Sequence, residues 1–295
     1  MSNNANSWPL KTGLLIVAIT WFLFTFYEFP KAAINIGKMS FWVFLTDTAG
    51  IIGLGFRTVA SLIAVLTVLF FIFRKDLSAP EIMMSLRWII LGEAVYFLSL
   101  LPSGVWGMLS VNRIGFLIET GIPCLVESIV IPIVLFKLFF ELNPKKSAKG
   151  AIKWGLISGT AYIFVFWLNN AANWVYAVMV KGVGYLSDYP LNLLSFALTT
   201  VGLLTLALYS AYFSKKSFGI EHIAELDLRQ VGVIVTALGL YFDVIYLMWV
   251  FFGSVGGWGA WYQWFLGHNM DLWVMSLPMV GVPLLFHKKA DSSSI

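Results

Sequence analysis

Eight long apolar runs, separated by short polar connectors, constrain this chain more than any other feature. They lie near Thr12–Phe29, Thr48–Phe73, Leu86–Val105, Gly115–Glu141, Lys153–Val180, Pro190–Phe213, Val231–Gly253 and Ala260–Phe286. A helix needs about 20 apolar residues to cross a bilayer, and most of these runs meet that length. The first is at the short end. The fourth and fifth are long, so they tilt or extend past the interface. The expected fold is an all-α integral membrane bundle of about eight transmembrane helices. Of the 295 residues, 59% are hydrophobic and only 12% charged, against about 25% charged in a soluble domain. Thr12–Phe29 lacks a small-residue cleavage site after it and reads as a retained span.

Charge sets the expected orientation. One side carries Lys11, Arg74, Lys75, Lys145, Lys146, Lys149, Lys153, Lys215, Lys216, Arg229, Lys288 and Lys289, while the other carries only Lys31, Lys38, Arg113 and Lys181. The positive-inside rule then puts both termini in the cytoplasm, with the plasma membrane as the expected location. An odd helix count would spoil this segregation. The basic balance, with pI near 9.0, follows from topology, and nucleic acid is not an expected partner. The outer side carries Trp42, Trp106, Tyr185, Tyr189, Trp258, Trp261, Tyr262 and Trp264. These suit an aromatic belt at headgroup level, or an aromatic mouth for a ligand. Ile36–Leu45 reads as a short interfacial segment. Ser217–Arg229 reads as a short amphipathic helix with Ile220, Ile223 and Leu226 on one side. The tail 290–295 reads as disordered.

The chain is a single polytopic domain with a candidate internal repeat, 12–142 and 153–286. Ser103–Gly107 ends the third run as Ser254–Gly259 ends the seventh, and Trp106 precedes Glu119 by the same distance as Trp258 precedes Asp271. Such halves would be related by an axis along the membrane normal.

Ionisable groups inside apolar spans are costly, so they usually face a bundle interior and mark a pathway or site. Counted from helix ends at about 1.5 Å per residue, Arg57, Asn169, Asp243, His268 and Asp271 fall at a common depth. His268 and Asp271 are spaced i, i+3 on one helix face, as a proton-accepting pair or half of a cation site. Asp243 reads as an ion ligand or as the counter-charge that the buried Arg57 requires. Glu119 and Glu127, at i and i+8, lie about 80° apart on an α-helix, with Pro123 between them to expose a carbonyl. Glu93 reads as nearer the cytoplasm, continuing a proton route. Asn169 and Asn173, at i and i+4, suit interhelical hydrogen bonding.

Absences narrow the field. A single cysteine, Cys124, allows neither an intrachain disulfide nor a cysteine metal cluster. No Gly-Lys-Ser/Thr phosphate loop, His-Glu-x-x-His or Gly-x-Ser-x-Gly motif occurs. Nothing names a cofactor or a metal, and the sequence points away from an enzyme. The leading expectation is proton-coupled translocation of a small solute or cation. The alternatives are an accessory subunit of a larger membrane complex, respiratory among the options, and a membrane enzyme acting on lipid. Expected partners are the bilayer, the solute or cation, and other membrane subunits or further copies of the chain.

Overall fold

The computed structural model describes residues 8–35, 41–73, 79–109, 114, 117–143, 145–184, 190–252 and 277–286. Among these residues the secondary structure is helical, with no strand. The helices are α1 (Trp8–Asn35), α2 (Phe41–Phe73), α3 (Ala79–Ser99), α4 (Leu101–Leu109), α5 (Ile122–Glu141), α6 (Ala148–Lys181), α7 (Pro190–Ser217), α8 (Leu228–Phe252) and α9 (Leu277–Leu285). Among the described residues five stretches are long and apolar enough to cross a membrane: Thr48–Phe73, Met84–Leu109, Ile122–Glu141, Ala148–Val180 and Phe196–Ser217. α3 and α4 form one such stretch with a break between them. Pro102 has no N–H to offer the Leu98 carbonyl. The Leu100 N–H bonds Phe97 at 3.2 Å instead, and the regular pattern resumes from Gly104 to Leu100 at 3.0 Å. With that column counted once, the helices fit eight spans.

Each helix packs against its neighbour in chain order. α1 lies on α2, α2 on α3, α3 and α4 on α5, and so on to α8 on α9, while α9 also touches α1 and closes a ring. The core is divided among these seams. Leu14 and Ala18 of α1 meet Val65, Val68 and Phe71 of α2. Ala94 and Phe97 of α3 meet Ile131, Val134 and Leu135 of α5 and Val165 of α6. Ile163 of α6 meets Leu203, Leu206 and Ala207 of α7. Leu66, Phe70, Phe73, Val201 and Leu208 stay exposed, as expected for helices apolar all round whose outer faces meet hydrocarbon.

Hydroxyls join α6 to α7. Thr160 Oγ1 lies 3.0 Å from Ser210 Oγ and 3.1 Å from Ser214 Oγ. Ser214 also donates to the Ser210 carbonyl at 2.7 Å. Such side chains satisfy themselves locally while bridging helices.

Three local expectations are corrected. Residues 41–45 belong to α2 rather than to a separate interfacial segment, since no Gly or Pro interrupts Phe41–Thr48. Ser217–Arg229 holds one 3₁₀ turn, Ile223–Glu225, instead of an amphipathic helix. Asp227 explains where the next helix begins: its Oδ1 accepts the Arg229 N–H at 3.1 Å and so caps α8. The fourth apolar run opens as a π-helical turn, Leu117–Gly121, before α5. A π turn shifts the angular phase, so the 80° estimate for Glu119 and Glu127 does not apply.

Candidate functional site

α2 and α3 approach closely because α3 carries glycine where it crosses α2. A methyl group on Gly92 would sit 3.0 Å from Ala60 Cβ and 3.3 Å from Arg57 Cα. The missing side chain lets the α3 backbone rest against Arg57, and the next residue, Glu93, reaches the guanidinium. Arg57 Nε and Glu93 Oε1 form an ion pair at 2.5 Å. The two residues are only 4% and 5% exposed, so solvent screening is small and each charge depends on the other.

The rings of two further residues hold the cation. Arg57 Cζ lies 4.8 Å from the Trp21 ring centroid and 4.4 Å from that of Tyr96. Both distances fall within cation–π range, where desolvation strengthens the attraction. Four chemically distinct groups from α1, α2 and α3 thus converge on one point.

Arg57 was expected to pair with Asp243, and that expectation is corrected. Two mid-helix acids were available, and the seam at Gly92 selects Glu93. The pairing also moves Glu93 from its expected cytoplasmic position to the level of Arg57. Asp243 lies on α8, and its Oδ1 is buried without a hydrogen-bond partner among the described residues.

Glu127 of α5 and Asn169 of α6 extend the layer. The Asn169 side chain is in hydrogen-bonding reach of the Glu127 carboxylate. Beside Glu127 lies a small cavity, lined also by Ile131, Tyr162, Val165 and Phe166, with about the room of one water. Tyr162 lines the same cavity as Glu127. Its ring is fixed edge-on between Phe97, at 5.8 Å, and Phe166, at 5.1 Å.

Among the described residues the arrangement holds a buried ion pair and, beside a small cavity, a second carboxylate and a phenol. Among the described residues no group of three or more His, Cys, Asp or Glu could hold a metal ion.

Arg57 and Glu93 are thus brought together, and Glu127 lies near Asn169. Asn173, one turn past Asn169, is exposed. The backbone of Glu119 lies in the π turn. His268 and Asp271 lie outside the described residues, as do Trp258 and most of the outer aromatics. Sequence reasoning missed Trp21, Tyr96 and Tyr162. For the tyrosines a signal existed: each sits within an apolar run one turn from another aromatic or acid, Tyr96 three residues after Glu93 and Tyr162 four before Phe166.

No protein-family model, curated protein or solved structure matches this chain.

Proposed function

We propose that this chain spans a membrane eight times, with both termini cytoplasmic, and translocates a small solute or cation coupled to protons. One observation carries the reading. Two carboxylates lie among apolar helices, Glu93 tied to Arg57 and Glu127 beside a small cavity that Tyr162 also lines. Such groups are expensive to keep in hydrocarbon and persist where they serve a pathway. A purely structural layer would be complete with Arg57 and Glu93, whereas Glu127 adds a second acid with no salt bridge to it among the described residues.

Arg57 and Glu93 serve as the charge-balanced anchor, and Glu127 as the group that gains and loses the proton. His268 and Asp271 are assigned to the same work on their i, i+3 spacing, and Asp243 and Glu119 to the path on their placement in the seventh and fourth runs.

The test is a flux measurement. The purified chain is placed in liposomes under an imposed pH gradient and challenged with alkali cations, small amines, small carboxylates and sugars. One class should dissipate the gradient in proteoliposomes and not in empty liposomes. Folded, inserted protein that responds to none of these classes would refute proton-coupled transport of a small solute.

A further inference from the structure

Arg87 lies on α3, three residues inside the apolar stretch that opens at Met84, or about 4.5 Å along the axis. Its guanidinium rests on α5, with Cζ 4.2 Å from the Phe139 ring centroid. Arg57 also sits on aromatic rings, but it has Glu93 as a counter-charge. Arg87 differs in that respect. Among the described residues no carboxylate lies within ion-pair distance of it, and its buried Nε has no hydrogen-bond acceptor. Glu141, two residues past Phe139, is held by Lys146 at 2.9 Å instead, and its carboxylate takes the space that a methyl on Gly150 would need. Glu81 stands six residues earlier on α3, about 120° round the axis by helical period. A guanidinium carries five N–H donors in one plane. The Phe139 face attracts its charge and accepts none of those in-plane donors.

The surface around Arg87 is apolar. Met84, Trp88 and Leu98 are exposed on α3, as are Ile133 and Phe140 on α5. Arg87 itself is half-buried, where this outer face meets the seam between the two helices. The site therefore offers a forked cation at the end of an apolar stretch, with apolar surface running away from it.

We propose that Arg87 holds the headgroup of one anionic phospholipid, from the leaflet on the lysine-rich side of the chain. Two parallel N–H bonds grip the phosphate, and the acyl chains lie along the exposed faces of α3 and α5. A phosphate supplies both the acceptors and the negative charge that Arg87 lacks, in the geometry a guanidinium fork matches. A zwitterionic lipid brings the same phosphate already balanced by its own ammonium, so the lipid of net negative charge is preferred. The inference rests on the membrane-spanning part of the proposed function and requires no transport.

The experiment is native mass spectrometry of the full chain, released from detergent micelles after titration with dioleoyl phosphatidylglycerol or dioleoyl phosphatidylcholine. Wild type should bind the first phosphatidylglycerol about tenfold more tightly than the first phosphatidylcholine, the gain expected of charge-assisted bonds. Arg87→Gln should abolish that preference. Lys137→Gln removes an exposed cation two residues from Phe139 and should leave it intact. Equal affinity of wild type for the two lipids would overturn the proposal. So would a preference that survives in Arg87→Gln, or one lost as fully in Lys137→Gln, which would mean general attraction to a basic surface. Should Arg87→Gln not fold, Arg87→Lys decides the matter. It keeps the charge and loses the fork, so binding of phosphatidylglycerol should weaken severalfold, and unaltered binding would refute the two-bond grip. No solute is involved, so a failed flux assay leaves this result standing, and the reverse holds too.

Discussion

Arg57 on α2 and Glu93 on α3 form a buried ion pair, with the guanidinium held between the rings of Trp21 and Tyr96. Removing one member of a buried pair leaves a charge without compensation and costs about 3–5 kcal/mol, while replacing both with apolar groups is often nearly neutral. Glu93→Leu should therefore destabilise strongly, and Arg57→Met with Glu93→Leu should recover most of the loss. Unfolding titrations in mixed micelles measure both. Equal stability of the single variant and wild type would mean the pair is not formed.

Gly92 sets the distance between those two helices. Gly92→Ala should destabilise by about 1–3 kcal/mol, the usual cost of overpacking, because its methyl would meet Ala60 and the Arg57 backbone. Gly159 is the matched control. It lies inside α6, where an added methyl would find nothing within 4 Å, and Gly159→Ala should be neutral or stabilising by about 0.5–1 kcal/mol. The same unfolding titration separates the two. Equal effects would show that helix propensity, and not the α2–α3 approach, controls stability here.

How far the site could be read from sequence follows from these two seams. Long apolar runs announce spans because the hydrocarbon thickness imposes their length; five of them reappear as helices long and apolar enough to cross a membrane, while most of the eighth, Ala260–Phe286, lies outside the described residues. That a deep Arg57 requires an acid is equally legible. Which acid it meets is not, because lateral order in a bundle is set by contacts between distant segments. Depth counted from helix ends matches Asp243 to Arg57 and sets Glu93 nearer the cytoplasm, so it favours the wrong acid, and only the glycine at position 92 hints at the closer approach. The π turn before α5 was illegible for a related reason: helical periodicity assumes the α-helical repeat it was meant to test. Asn169 and Glu127 were each recognisable as candidates, but their meeting depends on the seam between α5 and α6.

The hydroxyls between α6 and α7 should contribute modestly. Ser214→Ala removes contacts to Thr160 and to the Ser210 carbonyl. A cost of about 0.6 kcal/mol is expected for one such interhelical group. A cost several times larger would mean that Ser214 does more than join the two helices.

On the exposed side, Lys149 Nζ donates to Glu221 Oε1 at 3.0 Å. The hydrogen bond, and then the charge of Lys149, lower the pKa of Glu221 below its ordinary 4.5. A carboxylate depressed in the folded state stabilises that state above its unfolded pKa, and the contribution disappears as pH falls through the folded value. Carbon-13 carboxyl titration should show Glu221 protonating at a lower pH than usual, returning to normal in Lys149→Met. The difference should shrink in high salt, because exposed charges are screened. A normal titration in wild type would contradict the contact.

The central claim is that Glu127 carries the coupling proton, and Glu127→Gln in proteoliposomes tests it most directly. Once the solute class is known, exchange of solute across the membrane at equal pH and accumulation driven by a pH gradient are measured side by side. Exchange should persist in the variant, at a rate within severalfold of wild type, and gradient-driven accumulation should vanish. Accumulation in Glu127→Gln at the wild-type level would contradict the account.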